Sequence, residues 1–305
     1  MDNRFLVIGK VGEGSFGTVF LAKGHLSGAA VALKRIRLRD LDELPTNALR
    51  ELNALRLVQH PNLMPLLTVY TSGANIVLVM PFAPRSLSSV LATRDSPIPD
   101  TQARALGLML LRGLHALHTN GVLHRDIKPQ NILIYDTGQL QLADFGQSRL
   151  LSPDKCASLS HAVSTRWYRA PELLLGDCHY NTAVDIWSAG CVVCQLISLS
   201  PIFPGESDID QLFRVVQILG SPTPASWPRF MSLPDYGKVQ MPHGILPTPL
   251  RCVLPLASDC ALHLINSMLK YDDRMRISCS LALRHPWVSS ASAPASLHCL
   301  LDDRS

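Results

Sequence analysis

The sequence predicts an α+β fold of two unequal lobes, in which a small antiparallel sheet with one helix precedes a larger, mainly α-helical part. From residue 5 to about residue 80, the apolar runs are short and rich in β-branched side chains, as is typical of strands. Beyond Ser86, apolar residues recur at spacings of three and four, which indicates helices. A length of 305 residues fits one large domain or two such lobes.

Each predicted element rests on the spacing of its apolar residues. In the first lobe, strands are expected at residues 5–8, 18–21, 30–33, 68–70 and 76–79. A helix over residues 46–58 has Ala48, Leu52 and Leu55 on one face and Pro45 at its entrance. In the second lobe, helices are expected over residues 101–120, 182–199, 208–219, 258–269 and 279–284.

The composition indicates a globular protein and disfavours a nucleic-acid-binding one. Hydrophobic residues make up 47% and charged residues 17% of the chain, so most of it should fold. Residues 289–305, rich in Ser and Ala at their start, lack periodicity and predict a flexible tail. The formal net charge of +4 is small and forms no basic run, which disfavours nucleic-acid binding.

The cysteines and the apolar segments predict a protein of the nucleus or cytoplasm. Eight Cys are scattered without a recognisable secretory leader, as expected of reduced thiols. Cys191 and Cys194 have the spacing of a redox or zinc pair, but no second such pair accompanies them and their helical setting favours a structural role. Asp185 and Gln195 within residues 182–199 favour a buried helix over a membrane span, so no membrane insertion is expected.

Four phosphoryl-transfer signatures occur in one order within residues 124–172. They are His-Arg-Asp-Ile-Lys-Pro-Gln-Asn at 124–131, Asp-Phe-Gly at 144–146, Thr-Arg-Trp-Tyr-Arg at 165–169 and Ala-Pro-Glu at 170–172. Asp126 can accept the proton of an attacking hydroxyl, and Lys128 can offset charge on a moving phosphoryl group. Asn131 and Asp144 offer oxygen ligands to Mg²⁺.

In these signatures the chain resembles protein kinases. The resemblance implies the two-lobed protein kinase fold and ATP and Mg²⁺ as cofactors. Residues 4–82 would form the N-lobe with the ATP-binding sheet and regulatory helix, and residues 83–288 the C-lobe with the catalytic loop, activation segment and substrate site. The implied catalytic residues are Asp126, Lys128, Asn131 and Thr165, with Asn131 and Asp144 on the metal.

Residues 12–19 fit the pattern GxGxxGxV, whose glycines let backbone amides approach phosphate oxygens. Alone the pattern is weak, because a tight hairpin or a Rossmann dinucleotide site can share its spacing. A Rossmann loop opens a helix, whereas a strand is predicted at residues 18–21, as in a kinase glycine-rich loop. The implied nucleotide contacts of this loop are Val11, Gly12, Glu13, Gly14, Ser15, Phe16, Gly17, Thr18 and Val19.

A lysine on the third predicted strand, Lys34, has a predicted partner in Glu51 on the helix that follows. A solvated surface lysine is the alternative, but its neighbours Val31 and Leu33 disfavour it. In kinases such a pair is an ion bridge that holds the lysine against the α and β phosphates, so its closure reports activation.

The resemblance places a hinge between the lobes over residues 75–87. Met80 would be the gatekeeper, the carbonyl of Pro81 would accept the adenine amino proton, and the main chain of Ala83 would serve the other adenine edge. Ser86 stands where relatives have an acid near the ribose, so that contact is expected to be weaker. The remaining implied nucleotide contacts are Ala32, Phe82 and Leu133.

Several segments narrow the resemblance to cyclin-dependent kinases. Residues 45–51, Pro-Thr-Asn-Ala-Leu-Arg-Glu, resemble their partner-binding helix, and residues 201–213 resemble their C-lobe insert. Residues 13–14, 152–154, 165–167 and 233–236 look most like the cell-cycle-related kinase branch. A MAP kinase would carry Thr-x-Tyr before its Thr-Arg-Trp motif, and Ser-His-Ala at 160–162 lacks the tyrosine.

The cyclin-dependent resemblance implies phosphorylation of Ser or Thr in protein substrates under control of a cyclin or cyclin-like subunit. Val163, Ser164 and Arg169 match the segment that makes relatives proline-directed. The intact catalytic residues favour an active enzyme over the alternative, a weakly active kinase-fold scaffold that binds a regulatory partner. Residues 147–148, Gln-Ser where relatives have Leu-Ala, are expected to change how the activation segment packs.

Ser160 is the single candidate phosphosite of the activation segment, with an ordinary loop serine as the alternative. Arg50, Arg125 and Arg149 stand at the family positions that gather around such a phosphate. An upstream activating kinase is therefore expected. We also expect low basal activity that rises on phosphorylation or partner binding, because both would bring Glu51 to Lys34.

Two structural roles also follow from the resemblance. Glu172 and Arg276 should form a buried pair under the activation segment, and Asp185 should cap the backbone of the catalytic loop.

Overall fold

The amino-terminal lobe is an antiparallel sheet with one helix against it. The computed structural model describes residues 4–14, 17–38, 44–151, 159–160 and 163–291. The elements of this lobe are β1 (Phe5–Gly14), β2 (Gly17–Gly24), β3 (Ala30–Arg37), α1 (Thr46–Leu57), β4 (Thr68–Ser72) and β5 (Asn75–Pro81). The five strands follow the order β1-β2-β3-β5-β4, and all neighbours are antiparallel. All five predicted strands and the predicted helix are confirmed.

The alternation of side chains along β3 and β5 sends one apolar set to each face of the sheet. Leu33, Val77 and Val79 pack together on the face away from α1. Ile36, Leu78 and Met80 join the main core, to which α1 contributes Ala48, Leu52 and Leu55. The helix therefore lies against the sheet at the level of Lys34, which pairs in register with Leu78.

The carboxy-terminal lobe is mainly helical, with short strands near the junction of the lobes. Its first elements are β6 (Arg85–Ser86), α2 (Leu87–Ala92), α3 (Asp100–Thr119), β7 (Val122–Leu123), β8 (Ile132–Ile134), β9 (Leu140–Leu142) and β10 (Arg149–Leu150). The later helices are α4 (Pro171–Leu174), α5 (Ala183–Ser198), α6 (Asp208–Leu219), α7 (Leu250–Val253), α8 (Asp259–Met268), α9 (Cys279–Ala282) and α10 (Pro286–Ser289).

Short 3-10 turns connect several of these elements, at Pro129–Asn131, Phe145–Gln147, Arg166–Tyr168, Phe230–Ser232, Tyr236–Lys238 and Asp273–Met275. The predicted helices of this lobe are present with bounds within one residue, except that α9 ends two residues early. The predicted flexible tail begins at the end of α10, and all but three of its residues, 292–305, lie outside the described part of the chain.

Helix α5 forms the centre of this lobe, because nearly every residue on it is buried. Trp187 is fully buried and stacks on Phe203, with 5.6 Å between ring centroids. Cys191 and Cys194 are also fully buried as free thiols, and burial raises the pKa of both. The structural interpretation of this pair agrees with its place in the core. No helix within the described ranges has the length and hydropathy to span a membrane.

A buried ion pair joins α4 to the segment between α8 and α9. Both guanidinium nitrogens Nη1 and Nη2 of Arg276 donate to the carboxylate oxygens of Glu172 at 2.6 Å, and both side chains are wholly buried. The guanidinium of Arg276 also lies over the ring of Trp187, 5.0 Å from its centroid. The predicted pair is confirmed.

We expect Glu172→Gln to lower the free energy of unfolding by about 3 to 5 kcal/mol, because it leaves the Arg276 charge buried without a carboxylate. Denaturant titration followed by circular dichroism measures this change. Glu13→Gln is the matched control, since Glu13 pairs with Lys10 on the surface and should lose almost nothing. Equal small losses in both variants would contradict the assigned role.

Candidate active site

A cavity of about 590 Å³ lies between the two lobes and collects most of the predicted nucleotide contacts. Glu13, Gly14 and Thr18 lie in the β1–β2 hairpin but do not line the cavity, and Ser15 and Phe16 lie outside the described residues. The predicted residues that do line it are Val11, Gly12, Gly17, Val19, Ala32, Lys34, Glu51, Met80, Pro81, Phe82, Ala83, Ser86, Asn131, Leu133 and Asp144. The cavity is also lined by residues that were not predicted as nucleotide contacts, namely Met64, Pro84, Arg85, Ser89, Gln130 and Ala143.

The roof of the cavity is the hairpin of β1 and β2, in which Gly14 pairs with Gly17 and Gly12 with Val19. The chain therefore runs from strand to loop to strand, which excludes the Rossmann alternative. A Cβ at Gly17 would lie 2.2 Å from the carbonyl oxygen of Arg35, and φ is +151° there. Only glycine fits at this position, so the glycine pattern has a local steric cause.

The hinge follows β5. Pro81 is the last residue of β5 and pairs with Val31, and the N–H that proline lacks is not needed for a sheet hydrogen bond at this end of the strand. At the cavity rim, the Ser86 hydroxyl oxygen accepts a hydrogen bond from the backbone N–H of Ser89 at 3.1 Å and caps α2. The Ser89 hydroxyl oxygen accepts from the backbone N–H of Ser86 in return. Position 86 is thus neutral where the family pattern has an acid, and the Ser86 hydroxyl proton remains for a ribose oxygen.

Lys34 lies between two carboxylates at the back of the cavity. Its Nζ donates to Glu51 at 2.7 and 2.8 Å and to Oδ1 of Asp144 at 2.8 Å. Burial disfavours the ammonium, but the carboxylates of Glu51 and Asp144 raise the pKa of Lys34 above its ordinary value. The predicted pair of Lys34 and Glu51 is formed in this single chain, whereas the resemblance implied that it closes on activation.

Four polar groups surround Asp126, two from the catalytic loop and two from Thr165. Lys128 Nζ and Asn131 Nδ2 contact Oδ2 of Asp126 at 2.7 and 3.0 Å. The backbone N–H and hydroxyl of Thr165 donate to Oδ1 at 3.0 and 3.2 Å, and Lys128 also donates to the Thr165 hydroxyl at 2.8 Å. The structure therefore brings all four predicted catalytic residues together.

Helix α5 holds this loop through the buried carboxylate of Asp185. The backbone N–H groups of His124 and Arg125 donate to it at 2.9 and 2.8 Å, and Nε2 of His118 lies 2.9 Å from Oδ2. Burial alone would raise the pKa of Asp185, but the hydrogen bond and charge of His118 and the loop contacts hold it below its ordinary value. The predicted cap is confirmed.

The two predicted metal ligands offer oxygens to the same cavity. The amide nitrogen of Asn131 donates to the backbone carbonyl of Asp126 at 2.9 Å as well as to its side chain, which leaves the amide oxygen for a cation. The Asp144 side chain is 33% exposed, and its pKa is lowered because Lys34 outweighs the effect of burial. An ionised carboxylate and an amide oxygen beside phosphates fit Mg²⁺.

Arg50, Arg125 and Arg149 approach one another beneath the activation segment. Burial and the neighbouring Arg125 and Arg149 charges lower the pKa of Arg50. Nε of Arg50 and Nη2 of Arg125 are buried without a hydrogen-bond partner among the described residues. Ser160 is exposed, and its carbonyl accepts from the Tyr180 hydroxyl at 2.6 Å, which accepts from Nη1 of Arg125 at 2.8 Å.

The contacts of three polar residues near the site were not predicted from the sequence. Tyr180 connects Arg125 to Ser160, His118 supports Asp185, and the Ser148 hydroxyl donates to the carbonyl of Arg50 on α1 at 3.3 Å. No local pattern identifies Tyr180 or His118, because each contacts a residue distant in the chain. The sequence at residues 147–148 predicted a change in how the activation segment packs. The contact of Ser148 with α1 places the start of that segment against the helix.

Comparisons with known proteins agree with this geometry. The family described as "Protein kinase domain" matches residues 5–288. "Cyclin-dependent kinase 20" of Rattus norvegicus and of Homo sapiens are 43% and 42% identical over 295 residues, which cover 96% of this chain and 85% of each relative. "Cyclin-dependent kinase D-1" of Arabidopsis thaliana is 39% identical over 96% of this chain and 73% of its own length.

We expect Ser86→Asp to lower the KM for ATP by about threefold to tenfold, because a carboxylate at the rim accepts a ribose hydroxyl more strongly than a serine hydroxyl does. Aspartate also caps a helix well, so α2 should be retained. Ser86→Asn is the matched neutral variant and should change KM little. If both variants lower KM equally, charge at this position does not control ribose binding.

Proposed function

This chain belongs to the cyclin-dependent branch of the protein kinase family and is an ATP-dependent serine/threonine kinase, and we propose that it phosphorylates sites followed by proline under control of a cyclin-like partner and of a phosphate on Ser160. The family implies protein substrates and cyclin partners in general. The observation that carries the proposal is that Asp126, Lys128, Asn131 and Thr165 converge opposite Lys34 and Asp144.

In the proposed mechanism, Asp126 accepts the proton of the attacking hydroxyl, and its neighbours keep its carboxylate in position. Lys128, 2.7 Å from that carboxylate, offsets negative charge on the phosphoryl group in transfer. Lys34 holds the phosphates from the other lobe. Bound Mg²⁺ would be held by Asn131 and Asp144 and would neutralise charge on the phosphates.

The proposed preference for proline rests on the backbone carbonyl of Val163, which already accepts a hydrogen bond from Arg169. Nε of Arg169 donates to the carbonyl of Val163 at 2.9 Å, and its Nη2 donates to the carbonyl of Ser164 at 3.0 Å. Ser164 has a φ of 67°, which turns the chain at this point. The residue that follows the phosphorylated Ser or Thr of a substrate then finds no carbonyl for its backbone N–H. Proline has no N–H, so it loses no hydrogen bond at this position.

The proposed partner surface is an exposed apolar patch on and beside α1. Leu49 and Leu57 of α1 are 42% and 49% exposed, and Leu150 of β10 is 49% exposed. The neighbouring Ser148 is hydrogen-bonded to α1, so the patch spans two elements that lie in contact. A helical partner with an apolar face would bury these leucines and hold Glu51 at Lys34.

A phosphate on Ser160 would supply the acceptor that the arginine cluster lacks. Arg50 on α1, Arg125 beside Asp126 and Arg149 on β10 repel one another, and two of their buried nitrogens are without partners among the described residues. About two negative charges would join the three elements that carry them. Because Glu51 already contacts Lys34, we propose that the phosphate and the partner stabilise this arrangement.

The first prediction tests phosphoryl transfer. Asp126→Asn should lower kcat by roughly 10²- to 10⁴-fold, because it removes the base, and should leave ATP affinity nearly unchanged. Asp136→Asn is the matched control on the exposed turn before β9 and should retain activity. Radiolabel transfer and nucleotide titration give the two readouts. Unchanged turnover of Asp126→Asn would remove Asp126 from the mechanism.

The second prediction tests substrate choice. Peptides with Ser-Pro should be phosphorylated about 5 to 100 times more efficiently than those with Ser-Ala, as expected from one unpaired N–H. Arg169→Met should reduce this ratio by freeing the Val163 carbonyl, whereas Arg214→Met on α6 should not. Equal rates on a peptide array in the unaltered enzyme would be incompatible with proline direction.

The third prediction tests both switches. Ser160→Ala should lower the activity reached after incubation with an activating kinase, and Leu49→Asp should lower the activation obtained with a cyclin-like partner. Leu281→Asp, on the distant α9, is the matched control. Activity assays with and without each activator measure the effects. Full activity of the isolated Ser160→Ala chain would mean that neither switch operates.

A further inference from the structure

A second large groove lies in the carboxy-terminal lobe, away from the nucleotide cavity. It has a volume of about 880 Å³ and is enclosed by the end of α6, the segment 247–251 before and within α7, and helix α8. Its walls include Ile218, Leu250 and Leu262, and Tyr271 lies at its base. Met275 also lines it and is 70% exposed, so this apolar side chain has no cover in the described chain.

The groove carries one cation without a carboxylate partner. Lys270 lines the groove, and its ammonium contacts Oδ1 of Asn266 at 3.2 Å, with no carboxylate in ion-pair distance among the described residues. Arg251, at the opposite wall, is already paired with Asp259. An occupant with apolar side chains followed by acidic ones would therefore complement both the walls and Lys270.

The chain itself contains a segment of this chemistry. Residues 297–303 read Leu-His-Cys-Leu-Leu-Asp-Asp, and Leu297, Leu300 and Leu301 have the spacing of three and four that places side chains on one face of a helix. Asp302 and Asp303 follow directly. This part of the chain lies outside the described residues, so its chemistry is taken from the sequence alone.

The helix that precedes this segment, α10, lies beside the groove. Helix α10 packs against α8, and Nε2 of His285 lies 2.8 Å from Nδ1 of His263, which lines the groove. From His285 to Ser290 the chain advances roughly 8 Å at the helical rise. The residues from Ala291 to Leu297 can span up to about 20 Å when extended. A tethered segment also has a high effective concentration at a neighbouring site.

We propose that residues 297–303 dock in this groove of their own chain, with Leu300 and Leu301 against its apolar walls and the two aspartates at Lys270. The apolar walls, the unpaired cation, the acidic end of the segment and the short tether all favour this occupant. The contact is independent of phosphoryl transfer, and it would join the end of the chain to the segment between α6 and α8.

A disulfide-trapping experiment on the full chain tests the proposal. The segment contains Cys299, and Met275→Cys introduces a thiol at the groove, in a background where the exposed Cys252 and Cys260 are replaced by serine. A disulfide forms when the two Cα atoms approach within about 7 Å. We expect the intramolecular disulfide to form about ten times faster than in the matched variant Met231→Cys, whose exposed side chain lies outside the groove.

Two further variants connect the disulfide to the proposed contacts. Leu300→Asp with Leu301→Asp should abolish the preference for Met275→Cys, and Lys270→Glu should weaken it, whereas Lys238→Glu at a remote surface pair should not. Hydrogen exchange of residues 247–251 and 262–275 should be faster in the double leucine variant than in the unaltered chain. Equal disulfide rates in the two cysteine variants, unchanged exchange, or disulfides only between two copies of the chain would each overturn the proposal.

Discussion

The active arrangement depends on one buried carboxylate, that of Asp185. It accepts hydrogen bonds from the backbone N–H groups of His124 and Arg125 and contacts His118, so helix α5 and helix α3 hold the catalytic loop together. Arg125 has a φ of 66° at this point, a conformation that an arginine keeps only when its surroundings fix it. Asp126 follows directly, and its position opposite Lys34 is therefore set from the core of the carboxy-terminal lobe.

Across the cavity, Lys34 is shared between the carboxylates of Glu51 and Asp144, which belong to different lobes. One ammonium thus faces two carboxylates. Burial raises the pKa of Glu51 and the charge of Asp144 adds to this, although Lys34 acts in the opposite direction. The electrostatic energy of these three groups therefore depends on the relative position of the lobes. Any change that draws Glu51 away leaves a carboxylate without its cation, so closure and charge balance favour the same geometry.

Motif order predicted much of the site, because each kinase signature combines residue types with a local backbone shape. The strands and helix α1 followed from spacing within short segments, and the groups around Asp126 followed from the resemblance to protein kinases. Contacts between distant segments did not follow: Tyr180 reaches Ser160, and Ser148 reaches α1, through geometry that exists only after the lobes pack. The resemblance implied that the Lys34–Glu51 pair closes on activation. The sequence identifies the two partners, but it carries no information on how stable their contact is in the isolated chain.

The burial of Cys191 and Cys194 in α5 determines where electrophiles and oxidants can attack the enzyme. The thiolate is the reactive form, and burial raises the pKa of both groups while it excludes solvent from them. Cys252 and Cys260 are exposed and lie on α7 and α8. Alkylation or peroxide should therefore modify the surface of the carboxy-terminal lobe first, and the helix that holds the catalytic loop should keep its packing through an oxidative challenge.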